Sequence, residues 1–256
     1  MFPCFKLFGI RFASFPLVLF IAFFLSALLY VLSKKYSKLH MVDFFQACLP
    51  LLIGAAIFAR TLSALTLTGN SIYSFWYYLL HGGSVFYGGI IGGSVGLFLF
   101  CRVKKCSFLD YADVFATILP MGHAIGRLGC YLNGCCYGKE YHGIFAVDYI
   151  VGGIPTKVFP TWFAEIIFCV IMFTCFQFVC KTRQRGFYTG VYLTAYSVYR
   201  FFIEFLRGDE IRGIYGHLST SQWISLGLFL LGFYTLIVCY KNYYNNCLLK
   251  EQKNEF

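Results

Sequence analysis

The feature that most constrains this chain is a series of apolar segments, each long enough to cross a lipid bilayer. A helix needs about 20 residues to span the roughly 30 Å of hydrocarbon in a membrane. With 59% hydrophobic and 12% charged residues among 256, the chain has too few polar side chains to cover a water-soluble core. The segments are residues 15–33, 47–66, 84–101, 112–131, 161–179, 187–206 and 223–240. The sequence therefore predicts an all-α, polytopic membrane protein with seven transmembrane helices.

The basic residues predict how these helices are oriented. Lysines and arginines concentrate after the first, third, fifth and seventh segments, so every second loop is basic. By the positive-inside rule these loops are cytoplasmic, which places the N-terminus outside and the C-terminus in the cytoplasm. The net charge of +10 reflects this topology and contact with anionic lipids, and it does not call for a nucleic-acid partner. The residues are Lys34, Lys35, Lys38, Arg102, Lys104, Lys105, Lys181, Arg183, Arg185, Lys241, Lys250 and Lys253.

The same segments predict the domain organisation. No linker is long enough to separate two domains, so residues 1–256 are expected to form a single transmembrane helical bundle. The polar loop at about residues 139–158, which contains Gly152, Gly153 and Pro155, is expected to form a small ordered cap on the outer side.

In this orientation, polar side chains of several helices lie at the same outer level of the membrane. The fourth segment ends outside with His123 and Arg127. The sixth segment also ends there, and its outer half carries, at the three- and four-residue spacing of one helix face, Tyr196, Arg200, Glu204 and Arg207. Polar residues inside a membrane are costly and mark functional sites. We therefore expect a polar cavity that opens outward.

Two arginines in such a cavity favour an anion. Arginine binds phosphate oxygens through two parallel N–H donors, and a phospholipid supplies a phosphate within the bilayer. Arg127 and Arg200 are the candidate phosphate ligands, with Arg207 near the rim. The alternative is that Arg200 and Glu204 form a salt bridge that only joins helices.

The most distinctive motif is a glycine-rich segment, residues 126–138, at the end of the fourth apolar segment. It reads Gly-Arg-Leu-Gly-Cys-Tyr-Leu-Asn-Gly-Cys-Cys-Tyr-Gly. Glycines at this density let a ligand or another backbone approach closely, and Asn133 is expected to clamp the substrate by a hydrogen bond. The alternative is a tightly packed helix end with a snorkelling arginine.

This segment resembles the signature of the prolipoprotein diacylglyceryl transferase family. These bacterial inner-membrane enzymes move diacylglycerol from phosphatidylglycerol to a cysteine of a lipoprotein precursor. Gly126-Arg127-Leu128-Gly129, followed by Asn133-Gly134 and Gly138, carries the resemblance, which covers most of the chain. Further matching motifs, in order, are Ile10-Arg11-Phe12, Arg60, Tyr87-Gly88-Gly89, Asp113, Pro120, Phe159-Pro160-Thr161, Glu165, Arg200, Glu204-Phe205-Leu206-Arg207, Leu218-Ser219 and Gln222.

The resemblance implies a transferase of the inner (plasma) membrane whose active site faces the extracytoplasmic side. The implied substrates are phosphatidylglycerol and the lipobox cysteine in a prolipoprotein signal peptide, in a setting of membrane lipids, and no metal or cofactor is expected. Arg127 and Arg200 are expected to stabilise the charge of the departing glycerol phosphate. The residues expected to contact substrate are Asn133, Gly134, Cys135, Gly138, Tyr196 and Arg207.

The chain departs from the family pattern at positions that bear on acid–base chemistry. Tyr87 stands where the family usually has histidine, and Cys130 and Cys135 stand where its signature has asparagine and glutamate. The ordinary pKa of tyrosine, about 10, makes Tyr87 a better hydrogen-bond donor than base. We therefore hypothesise that His123 or Glu204 removes the proton of the acceptor thiol. The alternative for His123 is a helix-packing residue bonded to a carbonyl.

The three cysteines of the glycine-rich segment, Cys130, Cys135 and Cys136, leave several interpretations open. They are small packing residues, catalytic thiols, or partners in a disulfide or metal site. Metal binding together with His123 is disfavoured, because adjacent cysteines lack the paired Cys-x-x-Cys spacing of tetrahedral sites.

Two other functions compete with lipid transfer. A membrane thiol–disulfide oxidoreductase would use the outward cysteines with a quinone, but it would leave Arg127, Arg200 and Glu204 without a role. A transporter-like lipid-binding protein would explain the intramembrane charges. Internal inverted repeats would favour a transporter, and the glycine-rich segment is not repeated elsewhere in the sequence.

Overall fold

Helices dominate the computed structural model, which describes residues 4–7, 10–32, 40–67, 72–81, 86–151, 153–180, 182, 184–208 and 214–254. The helices are α1 (Ser14–Leu32), α2 (Met41–Leu67), α3 (Ile72–His81), α4 (Phe86–Lys104), α5 (Phe108–Asn133), α6 (Thr161–Thr174), α7 (Phe187–Ile203) and α8 (Thr220–Asn254). A π-helical turn at Cys175–Val179 extends α6, and a 3₁₀ turn at Glu204–Leu206 extends α7. Each of the seven predicted apolar segments falls on one of these helices.

Three stretches of the described helices are long and apolar enough to cross a membrane by length and composition alone. They are Met41–Leu65, Thr161–Val179 and Thr220–Asn246. Helix α1 contributes the shorter apolar stretch Phe20–Leu32. Glycines in α4 and polar residues in α5 and α7 lower the apolar character of the other segments. The count of seven membrane spans stays a prediction.

The connections between helices contain strands, so the all-α expectation is too simple. The strands form three antiparallel hairpins: β1 (Cys4–Leu7) with β2 (Ile10–Ala13), β3 (Val147–Val151) with β4 (Ile154–Val158), and β5 (Ile214–Tyr215) with β6 (Leu218–Ser219). Pairing of this kind satisfies backbone N–H and C=O groups that helices leave unused. The β3–β4 hairpin occupies most of the segment for which a cap is predicted.

The chain divides into two compact units. The smaller unit is Ser37–Tyr111, and the larger unit combines Met1–Tyr36 with Ala112–Phe256. In the smaller unit, α2 and α4 pack closely because Gly88, Gly92 and Gly96 line one face of α4. A Cβ atom on Gly92 would overlap the carbonyl oxygen of Gly54 on α2. Only glycine allows such a close approach of two backbones.

The larger unit has an aromatic core in which α7 packs on α5 and α6. Its buried members are Ala116, Met172, Phe176, Tyr188, Tyr192 and Tyr196. The start of α7 is fixed by a carboxylate from α5. Asp113 accepts hydrogen bonds from the backbone N–H of Gly186 at 2.6 Å and from the N–H and hydroxyl of Thr189 at 2.8 and 2.7 Å. A carboxylate at a helix N-terminus satisfies free N–H groups and the helix dipole.

Candidate active site

A buried carboxylate, Glu165 on α6, is the centre of a polar cluster in the larger unit. Its Oε1 atom lies 2.7 Å from Nη2 of Arg127 and 3.3 Å from Nε2 of His123. The hydroxyl of Tyr196 donates to the same oxygen at 3.0 Å. The side chains of Arg127 and Glu165 are only 11% and 3% exposed. Buried charges need partners of this kind, because desolvation alone is strongly unfavourable.

The helical spacing of the sequence explains how these groups meet. His123 and Arg127 are four residues apart on α5 and therefore share a face. Tyr192 and Tyr196 have the same spacing on α7, and their rings stack with centroids 5.8 Å apart. The hydroxyl of Tyr192 lies 3.2 Å from Nδ1 of His123. Nδ1 of His123 is thus in hydrogen-bond contact with a tyrosine hydroxyl, and Nε2 faces the carboxylate of Glu165.

A second charged pair joins the end of α7 to the start of α8. Nη2 of Arg200 lies 3.0 Å from Oε2 of Glu204, with side chains 8% and 3% exposed. Nη2 of Arg200 also donates to Ser221 at 3.3 Å, and the Ser219 hydroxyl donates to Oε1 of Glu204 at 2.9 Å. The salt bridge expected from the four-residue spacing is present. Each of its two residues also bonds to a serine at or just before the start of α8.

The charges of both arginines reach the same two side chains. Glu165 lies within electrostatic range of both Arg127 and Arg200, and so does His123. Within the part of the chain that the structure describes, Nε of Arg127 and Nη1 of Arg200 are buried and make no hydrogen bond. Each guanidinium therefore keeps a donor that a phosphate oxygen would satisfy.

Three thiols lie beside Arg127. The Sγ atoms of Cys130, Cys135 and Cys136 are all within 4.8 Å of one another. Nη1 of Arg127 lies 3.8 Å from Sγ of Cys130 and 3.7 Å from Sγ of Cys136. Interactions with the other two thiols lower the pKa of Cys136, and the charges of Arg207 and Arg127 act in the same direction. Interactions within the cluster raise the pKa of Cys135.

The glycines of the motif serve local geometry. Gly134 follows the end of α5 with a φ of 74°, the left-handed conformation that commonly ends a helix. Gly138 packs against backbone, because a Cβ there would overlap the carbonyl oxygen of Phe159. Gly126 differs, since a Cβ at that position would meet no atom of the described residues within 4 Å. Asn133, the last residue of α5, is exposed.

A backbone bridge brings Arg207 to the motif. Residue Gly138 pairs with Arg207 in an isolated antiparallel bridge. On either side of it, the N–H of Lys139 donates to Leu206 at 2.8 Å and that of Gly208 donates to Tyr137 at 3.1 Å. Arg207 is within electrostatic range of Cys136 and Arg200.

The structure brings together most of the predicted site residues, but it does not place one of them. Arg127, His123 and Tyr196 meet at Glu165. Tyr87 belongs to α4 of the smaller unit, and its side chain lies outside the described residues.

Sequence reasoning did not select Glu165 as a catalytic or substrate-binding residue. Its signal was present, since it is the single acidic residue of an apolar helix that begins after Phe159-Pro160. Its partner Arg127 is 38 positions away. No spacing rule links residues so far apart.

These features define a helical protein with membrane-length apolar helices and a buried arginine–carboxylate cluster. Comparison with known sequences identifies it further. A sequence profile described as prolipoprotein diacylglyceryl transferase matches residues 3–238. The chain belongs to this family.

Several similar proteins are named phosphatidylglycerol–prolipoprotein diacylglyceryl transferase. One from Clostridium perfringens, with the suffix 2, is 35% identical over 154 residues, which is 59% of this chain and 60% of that protein. A Clostridium tetani protein is 34% identical over 60% of this chain and 64% of its own length. A Rickettsia conorii protein is 30% identical over 63% of this chain and 64% of its length. The matched region thus spans less than two thirds of each relative.

Proposed function

We propose that this protein transfers the diacylglyceryl group of phosphatidylglycerol to the lipobox cysteine of a prolipoprotein and releases glycerol phosphate. Family membership and the names of the relatives support the reaction. The observation that carries the proposal is the buried Arg127–Glu165 pair with Arg200 in electrostatic range. A dry site with fixed guanidinium groups suits a reaction in which a phosphate leaves.

The bond changes assign a task to each arginine. The acceptor sulfur forms a bond to the glycerol carbon that carries the phosphate. The carbon–oxygen bond breaks, and its electron pair leaves with the phosphate oxygen. Negative charge therefore grows on the phosphate, where the free N–H donors of Arg127 and Arg200 would bind it. Glu165 and Tyr196 would hold Arg127 in place during this step.

The proton of the acceptor thiol needs a base, and we assign this role to His123 because it lies in the same cluster as Arg127. Glu204 pairs with Arg200 and accepts a hydrogen bond from Ser219, so both of its oxygens are already engaged. His123 is oriented by Glu165 and Tyr192. A carboxylate beside an imidazole stabilises the imidazolium that forms when the base takes a proton.

The proposal includes the setting of the enzyme. We propose seven membrane spans with the N-terminus outside, and an active site on the extracytoplasmic side of the inner membrane. Lipid then enters from the surrounding leaflet, and the prolipoprotein signal peptide presents its cysteine from the same side. Nothing in this reaction calls for nucleic acid.

The test is a reconstituted transfer assay. The purified protein is incubated with phosphatidylglycerol and a lipobox peptide, and mass spectrometry follows the diacylglyceryl thioether and the released glycerol phosphate. Arg127→Lys keeps the charge but loses the two-pronged geometry, so we expect transfer to fall at least about 100-fold.

The matched control is Arg102→Lys, because Arg102 is exposed at the end of α4, 5.1 Å from the ring centre of Phe98. It should transfer at the native rate. Absence of thioether with a monodisperse native protein, or full activity of Arg127→Lys, would overturn the proposal.

A further inference from the structure

The three-thiol cluster has no role in the function proposed above, yet its geometry is specific. Cys130 comes from the last turns of α5, whereas Cys135 and Cys136 lie on the loop that follows it. The N–H of Cys135 donates to the carbonyl of Cys130 at 3.1 Å, so the loop folds back on the helix end. Two side chains tie it down: the Thr161 hydroxyl donates to the Cys136 carbonyl at 2.6 Å, and the Tyr149 hydroxyl donates to the Cys135 carbonyl at 3.5 Å.

The backbone of Cys136 explains why adjacent cysteines converge. Its φ is 61°, in the left-handed region that residues other than glycine rarely adopt. In a regular strand or helix, neighbouring side chains point in different directions. The left-handed residue reverses this, so the sulfurs of Cys135 and Cys136 both approach that of Cys130. Strain of this kind, about 1–3 kcal/mol per residue in general, tends to be kept at functional sites.

The sulfur separations suit a metal ion. Zinc binds thiolate sulfur at about 2.3 Å, which in a tetrahedral site places the sulfurs roughly 3.8 Å apart. The three Sγ atoms already lie within 4.8 Å of one another. A disulfide would need two of them to close to about 2.05 Å and would leave the third sulfur unused.

The surroundings suit the charge and access of a zinc–thiolate centre. Three thiolates and one divalent ion carry a net charge of −1, and Arg127 has N–H donors 3.8 and 3.7 Å from two of the sulfurs. Hydrogen bonds from outside the metal shell commonly orient and stabilise its ligands. Cys130 is buried whereas Cys135 is exposed, so one side of the cluster is open.

We propose that Cys130, Cys135 and Cys136 bind a zinc ion and leave its fourth position open for the acceptor thiol. Three protein ligands with one open position are typical of catalytic zinc, and a thiol that binds the ion loses its proton. This inference rests on the proposed transfer function. The acceptor proton passes to the base, the zinc-bound sulfur bonds to the glycerol carbon, and the carbon–oxygen electron pair leaves with glycerol phosphate. Zinc itself undergoes no redox change.

The zinc site would compensate for two polar groups that the resemblance leads one to expect and that this sequence lacks. Tyr87 and Cys135 stand where the family usually has histidine and glutamate, so the chain lacks two of the polar groups expected near the reaction. A thiol bound to the metal needs a weaker base than a free thiol does, because the ion stabilises the negative charge of the resulting thiolate. Cys135 would then replace a lost carboxylate by a metal ligand.

The first experiment measures metal alone, without lipid or peptide. The full-length protein, purified in detergent with a reductant, is loaded with Zn²⁺, and bound metal is measured by mass spectrometry. We expect one equivalent per chain, and tetrahedral thiolate charge-transfer bands when Co²⁺ replaces it. Cys130→Ala, Cys135→Ala and Cys136→Ala should each weaken zinc binding at least about 100-fold. Cys48→Ala, which alters a buried cysteine of α2, is the control and should bind zinc normally.

The second experiment tests the open position on the native protein. Adding a lipobox peptide to the Co²⁺ form should strengthen the charge-transfer bands, because a fourth sulfur joins the ion, and the same peptide with serine in place of cysteine should not. If the cysteine peptide leaves the Co²⁺ spectrum unchanged, the assignment of the fourth ligand is overturned. A protein that takes up no zinc, or binds only Cu⁺, overturns the site itself.

The outcomes separate the two proposals. Zinc removal by a chelator should lower transfer at least about 100-fold, and added zinc should restore it. Transfer that continues without zinc refutes the inference and leaves the proposed function intact. Stoichiometric zinc that the three cysteine variants lose, in a protein that makes no thioether, supports the site and refutes the transfer function. If a cysteine variant fails to fold, the chelation experiment on the wild-type protein still tests whether transfer needs zinc.

Discussion

The α2–α4 contact of the smaller unit and the α5–α6–α7 contact of the larger unit join helices by opposite means. Between α2 and α4, glycines remove side chains so that the backbones touch. Between α5, α6 and α7, charged and hydroxyl side chains meet at Glu165. Glycine packing stabilises apolar helices at little cost. A buried ion pair gives weak net stability after desolvation, so the proposed function would account for its presence, whereas packing alone accounts for the glycine contact.

The largest expected effect comes from removing one partner of the ion pair. Glu165→Gln leaves Arg127 buried without a counter-charge, which should lower the free energy of unfolding by about 3–5 kcal/mol and abolish transfer. The measurement is thermal unfolding in detergent, combined with the thioether assay. The double variant Arg127→Met with Glu165→Leu removes both charges and should recover most of the stability, but no activity. An active double variant would show that the cluster is structural after all.

A smaller effect is expected at the glycine contact. Gly92→Ala places a Cβ against the Gly54 carbonyl and the Phe58 side chain, so the free energy of unfolding should fall by about 1–3 kcal/mol. On the same helix, Gly89→Ala meets its nearest atom only at 3.9 Å and should leave stability unchanged or slightly higher. The unfolding midpoints of the two variants test whether the close contact at Gly92 makes this difference in stability. Equal midpoints would contradict the packing role assigned to Gly92.

The smallest expected change is at Gly126, a glycine of the larger unit that, unlike Gly92, is not in a close backbone contact within the described part of the chain. Among the residues that the structure describes, a Cβ at this position would meet no atom within 4 Å. Gly126→Ala should therefore raise the free energy of unfolding by about 0.5–1 kcal/mol, as alanine favours helices over glycine. We infer that lipid occupies this open space next to Arg127, so the added methyl group should nevertheless lower transfer. A variant that gains stability and transfers at the native rate would remove the lipid from that space.

Local patterns in the sequence predicted the helices and one charged pair. Apolar segments located seven helices, and the four-residue spacing of Arg200 and Glu204 anticipated their salt bridge. Helix α3 and the hairpins were not anticipated, because their residues lie outside the apolar segments and form local hydrogen bonds that hydropathy does not report. The role of Tyr87 stays a prediction.

Contacts between distant residues could not be read from spacing. Arg127 and Glu165 meet only because α5 and α6 pack side by side, and either could have paired with another charge. The cysteines show the same limit: their spacing did not reveal that the three sulfurs meet, which the left-handed backbone of Cys136 allows. Backbone conformation at one residue is beyond what a spacing rule describes.

The carboxylate of Asp113 on α5 holds the first turn of α7, and this has a consequence far from that turn. An α-helix rotates by about 100° and advances about 1.5 Å per residue, so Thr189 and Arg200 are separated by roughly 16 Å along the axis. A slip of a single residue at the capped end would swing the guanidinium of Arg200 about a quarter of the way round the helix. The direction of Arg200, which we propose binds the departing phosphate, is therefore set at the opposite end of α7, where a substitution would lower the proposed transfer without contacting substrate.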